Sequence, residues 1–273
     1  MKDEEKKLSC FLENLAAELR NQLGNLYLSG RRMASADARK TSANTDRNSA
    51  YADQSRIRLM RLVRNLEEGA ALLKEDTFTR ESCDIVGLVS DICEESADLA
   101  EYLGLELSFT CVEGWHICSV NPEHIRSLVY NLLSNAMKHT PKGGYVRVVL
   151  HFQREPQQVV LFVEDNGDGI PEEELPMLFD WSWSARGTTA GRHGMGLGLA
   201  ICKRVAEMHG GTLSVETKAS LGSRFTLCMP DEKSKTVVFR QSVPSERNGG
   251  IHPSLLMLSD ALPWEAFRIK NQL

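Results

Sequence analysis

The sequence predicts an α+β protein in two parts: a helical hairpin over residues 1–79 and a sheet covered by helices over residues 80–230. In the first part, apolar residues recur every three or four positions, which is the period of an amphipathic helix. From about Arg80, short strand-like segments alternate with helical ones, which indicates packed layers of sheet and helix. Two glycine-rich turns, DNGDGI and GMGLGLA, interrupt this second part, and a tail over residues 231–273 follows it.

The predicted hairpin consists of two helices with apolar stripes. The first stripe is Leu8, Leu12, Leu15, Leu19, Leu23 and Leu26, and the second is Leu59, Leu62, Val63, Leu66, Ala70 and Leu73. A polar stretch over residues 34–52 is predicted to form the turn between them. One hairpin buries little apolar surface, so we expect a homodimer in which two hairpins form a four-helix bundle. The alternative is a hairpin packed against its own second part.

The second part is predicted to alternate helices and strands. The helices are residues 85–103, 122–139 and 197–209, and the strands are residues 105–110, 115–120, 145–152, 159–164, 212–218 and 224–229. Asn121 is the expected N-cap of the middle helix, and Gly210 is a stop signal for the last. The tail is polar until an apolar segment at residues 255–267, for which a short amphipathic helix is one possibility.

Composition excludes several classes of protein. The 32 basic and 37 acidic residues give a net charge of −5, so no global basic field favours nucleic acid. No apolar run approaches the roughly 20 residues of a membrane span. The N-terminus lacks a signal-peptide pattern, and the seven cysteines form no C-x-x-C pair. We therefore expect a cytoplasmic chain, with the signal sensed by another protein or in the cytosol.

The helix at residues 122–139 carries polar side chains on one face. Asn131, Asn135 and Lys138 lie at i, i+4 and i+7. A side-chain amide oxygen suits Mg²⁺, which keeps waters and phosphate oxygens as its other ligands. Lys138 or His139 can then meet phosphate charge. The alternative is that these asparagines are buried residues that cap loops.

The turn DNGDGI begins with Asp165, at the end of a predicted strand. Its carboxylate can accept a hydrogen bond from an exocyclic amine. Gly167 and Gly169 allow the backbone, which continues to Ile170, to approach a base closely. The alternative is a simple Asn-Gly hairpin turn.

The second glycine-rich turn leads into the helix at residues 197–209. Gly194, Gly196 and Gly198 alternate with Met and Leu, and glycines before a helix N-terminus present backbone N–H groups to phosphate. The loop before them, residues 180–193, is rich in small residues, so closure over a nucleotide is expected. Its Arg186 and Arg192 are either phosphate contacts or ordinary surface residues.

In this order, the three motifs resemble the Bergerat, or GHKL-type, fold of histidine kinases, DNA gyrases, Hsp90 chaperones and mismatch-repair ATPases. The resemblance implies an α/β sandwich that binds ATP or ADP with Mg²⁺, Asn135 as the metal ligand, and Asp165 bound to adenine N6. It assigns nucleotide contacts to Asn131, Asn135, Lys138, His139, Asp165, Gly167, Gly169, Ile170, Gly194, Gly196, Leu197, Gly198 and Leu199. ATPase members place a glutamate at the position of Asn131 as general base. The amide of Asn131 cannot take a proton from the attacking water, so we expect slow hydrolysis of ATP.

The segment FLENLAAELRNQL, residues 11–23, resembles the dimerization and phosphotransfer helix of sensor histidine kinases, with the approximate pattern F-x-x-x-x-S-H-E-L-R-T-P-L. Ala17 occupies the position of the phospho-accepting histidine, and Gln22 that of the proline. The histidines of the chain are His116, His124, His139, His151, His193, His209 and His252. None lies in the hairpin, and alanine has no nucleophile, so phosphorylation of this hairpin on histidine is excluded.

Two polar residues of the phosphotransfer pattern survive. The resemblance implies that Glu18 corresponds to the acid/base residue beside the histidine. It also implies that Asn21 orients the water that dephosphorylates a response-regulator aspartate. The alternative is that both are ordinary exposed residues of a helix.

Together these patterns predict an ATP-binding, histidine-kinase-like protein of a bacterial two-component system. Its expected partner is the receiver domain of a response regulator, on which it acts as a phosphatase. A kinase that phosphorylates a histidine of a heterodimer partner is an alternative of the same class. A non-enzymatic, ATP-gated interaction module is a different class. An anti-sigma-type serine kinase shares the nucleotide fold but lacks the hairpin.

Overall fold

The computed structural model describes residues 15, 18–30, 42–74, 78–181, 196–233 and 251–268. The hairpin helices are α1, residues 18–30, and α2, Ser42–Lys74. The remaining helices are α3 (Ile85–Leu103), α4 (Pro122–His139), α5 (Leu197–Met208) and the five-residue α6 (Pro253–Met257). Two 3₁₀ turns, Glu172–Met177 and Trp264–Phe267, complete the helical structure of the described residues.

A five-stranded sheet forms the centre of the second part, in the order β2-β4-β5-β7-β6. Its strands are β2 (Glu106–Cys111), β4 (Tyr145–Arg154), β5 (Gln157–Asp165), β6 (Thr212–Lys218) and β7 (Gly222–Pro230). Only the β2–β4 pair is parallel among these described strands. A separate antiparallel pair joins β1 (Glu81–Asp84), which the sequence pattern did not predict, to β3 (Ile117–Val120).

Local capping fixes the helices that cover this sheet. The Asp84 carboxylate accepts a hydrogen bond from the Val86 N–H at the start of α3, and Gly104 ends that helix in the left-handed conformation. The Asn121 side chain accepts from the His124 N–H at 3.1 Å, which confirms the expected N-cap of α4. These signals explain why the observed limits of α3 and α4 agree with the sequence pattern.

Alternating strand residues pack against one face of the helices. Val146, Val148 and Leu150 of β4 are buried, whereas Arg147 and His151 on the other face of the strand are exposed. The core from α3, α4 and α5 includes Ile92, Ile125, Leu128, Leu133, Ile201 and Val205. The result is a two-layer α/β sandwich, as expected for the second part of the chain.

The hairpin differs from its prediction in two respects. The stretch predicted as a polar turn, residues 34–52, is helical from Ser42 onward, where α2 begins. The predicted stripe of α2 is also only partly correct, because Val63, Ala70 and Leu73 are exposed while Leu72 is buried. A helix that is covered from more than one side has no single apolar stripe, so its periodicity misleads.

The chain itself covers part of the hairpin. Leu62 is buried in the core of the second part, and Leu15, Leu19 and Leu66 pack against that core. The dimer was predicted because one hairpin buries little apolar surface, but these four leucines are covered at least in part by the same chain. The structure thus shows the contact that was named as the alternative, in which the hairpin packs against the second part of its own chain.

The C-terminal segment, residues 251–268, packs against α2. Its apolar side chains form a second cluster with Ala50 and Ile57 of that helix: Leu256, Leu262, Ala266 and Phe267. The Trp264 ring stacks on Tyr51 at a centroid distance of 4.9 Å. This cover explains why polar-looking sequence near residue 50 is helical. No helix among the described residues combines the length and apolarity that a membrane crossing requires.

Replacing Leu133 with alanine should lower the free energy of unfolding by about 2–5 kcal/mol, because the residue is fully buried in α4 and leaves a cavity. Urea unfolding followed by circular dichroism measures the change. Leu221→Ala, at a position 66% exposed, is the matched control and should change stability by less than about 0.5 kcal/mol. Equal losses for the two variants would contradict the placement of α4 in the core.

Candidate functional site

A cavity of about 110 Å³ lies between α4, the start of α5, α2 and the C-terminal segment. Its lining residues are Arg61, Asn65, Asn131, Ser134, Asn135, Lys138, Gly196, Leu197, Gly198, Leu199 and Asp260. Seven of these were predicted as nucleotide contacts from sequence alone. The other four come from α2, from α4 and from the C-terminal segment.

The polar face of α4 forms one wall of this cavity. Asn131, Asn135 and Lys138 line it together, as the i, i+4, i+7 spacing predicted. Asn131 is 3% exposed, and its side-chain N–H donates to the Ser127 hydroxyl at 3.4 Å. The wall therefore presents amide groups and one lysine side by side.

The start of α5 lies directly against that wall. A Cβ atom on Gly198 would lie 3.0 Å from Oδ1 of Asn131, so a side chain at this position would require the Asn131 amide to shift by a few tenths of an ångström. Gly196 is the N-cap, with φ of 71°, and no described side chain caps this helix. The first N–H groups of α5 thus lack a side-chain acceptor among the described residues, which is the arrangement that binds phosphate. Leu197 and Leu199 are buried beside them.

The DNGDGI turn contacts the opposite end of α4. A Cβ atom on Gly167 would lie 2.2 Å from the carbonyl oxygen of His139, the last residue of α4. The Asp168 N–H donates to the same carbonyl at 3.3 Å. The two glycine-rich turns are therefore held on one helix, although neither His139 nor the DNGDGI turn is among the lining residues of the cavity itself.

Asp165 is a buried carboxylate with a defined orientation. It is 4% exposed, and its Oδ1 accepts a hydrogen bond from the Gly167 N–H at 2.9 Å. Burial raises the pKa of this carboxyl, and hydrogen bonds from the Gly167 and Ser223 backbones oppose that shift. Further along the turn, Gly169 has φ of 69°. The Ile170 N–H donates to the Thr217 hydroxyl at 2.9 Å, which ties the end of the turn to β6.

A histidine fixes the start of α4. His209 accepts a hydrogen bond at Nε2 from the Asn121 N–H at 3.1 Å, and its Nδ1–H donates to the Val205 carbonyl at 2.8 Å. Burial lowers the pKa of His209 to about 4. The ring is therefore neutral at physiological pH, with one nitrogen as donor and the other as acceptor. These bonds connect α4 to the C-terminal end of α5.

An arginine that sequence reasoning missed projects from α2 into the cavity. Its Nη1 lies 2.8 Å from the Ser134 hydroxyl and 3.2 Å from Oδ2 of Asp260, and its Nη2 lies 3.4 Å from Oδ1 of Asn131. This residue, Arg61, is 5% exposed. The available signal in the sequence was an arginine beside Leu62, within the predicted apolar stripe of the second hairpin helix. Nothing in the sequence indicated that Asp260, almost 200 positions later, would lie beside it.

The predicted catalytic residues lie on α1. Asn21 is exposed, and the half-buried Glu18 accepts a hydrogen bond from the Gln22 side chain at 2.7 Å. Burial lowers the pKa of Arg58, and the carboxylates of Asp260 and Glu18 oppose that shift, so α1, α2 and the C-terminal segment meet near this arginine. The predicted positions Ala17, Gly194, Arg186 and Arg192 lie outside the described residues.

The described residues contain no group of three His, Cys, Asp or Glu side chains placed to hold a metal. The cavity instead gathers the side-chain amides of Asn65, Asn131 and Asn135. Neutral oxygen donors of this kind fit Mg²⁺ when waters and phosphate oxygens supply its other ligands. The donor set is therefore compatible with a metal that arrives with a nucleotide.

A family model covers most of this part of the chain. Residues 120–233 match the histidine kinase-, DNA gyrase B- and HSP90-like ATPases. The match includes α4, both glycine-rich turns and the last strand of the sheet. It therefore contains the described cavity except for the contributions of α2 and the C-terminal segment.

Two curated relatives are sensor kinases. The adaptive-response sensory kinase SasA of Synechococcus sp. (strain CC9311) is 39% identical over 106 residues, which are 39% of this chain and 27% of SasA. The sensor protein KdpD of Clostridium acetobutylicum is 31% identical over 183 residues, which are 64% of this chain and 19% of KdpD. The alignments thus span less than a third of either relative.

Solved structures show the same fold. Histidine kinase ThkA, in complex with the response regulator protein TrrA, aligns with a TM-score of 0.63 at 19% identity, over 86% of this chain and 65% of that one. The Acinetobacter baumannii histidine kinase AdeS aligns with a TM-score of 0.59 at 18% identity, over 78% of this chain and 97% of AdeS. Residues 120–233 thus match a histidine kinase-, DNA gyrase B- and HSP90-like ATPase domain, and the chain resembles sensor histidine kinases in sequence and in fold.

Proposed function

We propose that the chain binds Mg·ATP or Mg·ADP along α4, between the two glycine-rich turns. The observation that carries this assignment is the close contact of each turn with α4: Gly198 against Asn131, and Gly167 against the His139 carbonyl. The first turn then receives the adenine and the second the phosphates. Asp165 is suited to adenine N6, because its carboxylate is buried and oriented by the Gly167 N–H.

Asn135 is the proposed magnesium ligand. It lies between Asn131 and Lys138 on the face of α4 that lines the cavity together with the start of α5. Mg²⁺ bound there would neutralise phosphate charge and orient the triphosphate. The amide of Asn135 supplies a neutral oxygen, so the site depends on nucleotide phosphates for most of its negative charge.

Hydrolysis at this site should be slow. The position from which a general base would act is held by Asn131, whose amide contacts Arg61 and Ser127. An amide cannot accept a proton from water at neutral pH. Nucleotide is therefore held rather than consumed, which suits a signalling protein that transfers or senses phosphate.

We further propose that the chain acts on the phosphorylated receiver domain of a response regulator. Three observations support this role over self-phosphorylation. No histidine occurs in residues 1–79, so the hairpin has no phospho-acceptor of its own. Asn21 is exposed on α1, one turn beyond Glu18. The fold also resembles that of ThkA, which was solved with a regulator bound.

Two other activities remain candidates on specific grounds. An intact nucleotide domain without an acceptor fits a kinase that phosphorylates the histidine of a heterodimer partner. The contact of α2 with the cavity fits a non-enzymatic module that changes shape with ATP. For either activity a dimer is proposed, because Leu23, Tyr27 and Val63 leave apolar surface exposed on the hairpin helices.

Asn135→Ala should weaken Mg·ATP binding at least tenfold, about 1.4 kcal/mol, because it removes the proposed metal ligand. Isothermal titration calorimetry of both proteins, with Mg²⁺ and with EDTA, measures the effect. The difference should vanish in EDTA, since no metal is then present to bind. An equal affinity for Mg·ATP in both proteins would refute the magnesium assignment.

Asn21→Ala should slow dephosphorylation of a cognate receiver domain by about an order of magnitude, because a neutral amide orients water without repelling phosphate. The assay follows loss of phosphate from receiver domains of the source organism that were phosphorylated with acetyl phosphate. The substitution should leave the affinity for Mg·ATP unchanged, which separates it from Asn135→Ala. Undiminished dephosphorylation by the Asn21→Ala variant would refute the proposed role of Asn21. If the unmodified chain does not accelerate dephosphorylation at all, the result favours the non-enzymatic interaction module.

A further inference from the structure

The cavity has a side that neither glycine-rich turn supplies. There α2 contributes Arg61 and Asn65, and the C-terminal segment contributes Asp260. We propose that Arg61 binds the phosphate end of the nucleotide, assisted by Asn65, and that Asp260 is an internal anion that phosphate displaces from Arg61. This inference rests on the nucleotide site proposed above and assigns the regulation of that site.

Both α2 residues have unused hydrogen-bonding capacity. Arg61 is 5% exposed and Asn65 is 8% exposed. Nε of Arg61 and Oδ1 of Asn65 find no hydrogen-bond partner among the residues that the structure describes. Unpaired buried polar atoms cost free energy, and a ligand that pairs them recovers it. A phosphate oxygen can accept from Arg61, and a water carried by Mg²⁺ can donate to Asn65.

The present contacts of Arg61 place its guanidinium at the polar wall of α4. It lies 2.8 Å from the Ser134 hydroxyl and 3.4 Å from the Asn131 amide oxygen. Both partners line the cavity, and they precede Asn135 on α4 by one and four positions. A guanidinium matches the oxygens of a phosphate in a two-pronged geometry, so this position suits a phosphate ligand.

Asp260 now occupies the anion position on Arg61. Its Oδ2 lies 3.2 Å from Nη1 of the arginine, and the Asp260 side chain is 23% exposed against 6% for Arg61. A carboxylate has the same sign of charge as phosphate and also accepts two hydrogen bonds. Phosphates that enter the cavity would therefore compete with this carboxylate and repel it, and charges interact strongly where water is partly excluded.

The loop that carries Asp260 is anchored on α2. The Arg58 guanidinium donates to the carbonyls of Ser259 at 3.2 Å and Leu262 at 3.0 Å, and the Gln54 amide donates to the Leu262 carbonyl at 3.0 Å. The hydrogen bonds to the carbonyls of Ser259 and Leu262 therefore hold the backbone on either side of Asp260 in place. Its displacement by phosphate would weaken the hold of the C-terminal segment on α2, so nucleotide binding and this contact are linked reciprocally.

The test is calorimetry of the full chain and its variants with three probes: Mg·ATP, Mg·ADP and adenosine. Asp260→Asn should raise the affinity for Mg·ATP by about fivefold, within the range of such couplings, with a smaller gain for Mg·ADP. Arg61→Gln should lower the affinity for Mg·ATP by about tenfold. Adenosine should bind all of these proteins equally, because it carries no phosphate.

Matched controls come from an exposed pair on the same helix. Asp53 and Arg56 lie 3.4 Å apart near the surface, so Asp53→Asn and Arg56→Gln should leave all three affinities unchanged. In the Arg61→Gln background, Asp260→Asn should lose most of its gain, since the two residues act as a unit. If the buried Arg61→Gln variant fails to fold, the Mg·ATP affinity of Asp260→Asn alone still tests the proposal.

The outcomes separate the two proposals. If the unmodified chain binds neither nucleotide, the proposed function fails. If it binds Mg·ATP and Asp260→Asn changes that affinity by less than twofold, Asp260 does not compete with phosphate and the inference is overturned. A gain that is equal for adenosine overturns it as well, because the effect would then be independent of phosphate.

Discussion

The nucleotide site depends on how closely two turns approach one helix. Gly167 meets the carbonyl at the end of α4, and Gly198 meets Asn131 two turns earlier on the same helix. At these distances even a methyl group would have to push the backbone or the amide aside. Because both turns are fixed on α4, the distance between the adenine end and the phosphate end of the proposed site is set by that helix.

The remaining structure holds α4 in place. Its N-terminal end is capped by Asn121, whose backbone is bonded to the neutral ring of His209 beyond α5. Its apolar residues Ile125, Leu128 and Leu133 are fully buried in the core that helices and sheet share. Its polar face is left for the cavity, where α2 and the C-terminal segment close the other side. One helix thus carries the fold on one side and the proposed chemistry on the other.

This arrangement gives the hairpin a direct route to the nucleotide. Arg61 reaches α4 from α2, and Glu18 on α1 lies near Arg58 of the same helix. A change at the phosphate end would therefore reach the face on which Asn21 is exposed. Under the proposed function, such a connection would let bound nucleotide govern contact with a regulator.

Some elements could be predicted because their signals are local. Asn121 before Pro122 and Gly104 after Leu103 mark helix ends within a few residues, so α3 and α4 agree with the pattern. The helical structure near residue 50 of α2 could not be predicted, since Ala50 and Tyr51 pack with Phe267 and Trp264 from the far end of the chain.

The site divides in the same way. The polar face of α4 and the glycine-rich turns follow from residue spacing, and the cavity brings that face together with the second turn. Arg61, Asn65 and Asp260 are separated from Asn131 of α4 by about 65 to 130 positions, and no periodicity connects them to it. Their positions depend on how the hairpin and the C-terminal segment pack against the second part of the chain. That packing is set by tertiary contacts rather than by any motif.

The most direct test of the central claim is Mg·ATP binding by Gly167→Ala, with Gly114→Ala as the control. A Cβ atom on Gly114 meets nothing within 4 Å, whereas one on Gly167 would collide with the His139 carbonyl. Calorimetry should show an affinity at least about tenfold weaker for Gly167→Ala and unchanged for Gly114→Ala, with both proteins folded by circular dichroism. A folded Gly167→Ala protein that binds Mg·ATP as tightly as the unmodified chain would contradict the claim that this contact builds the site.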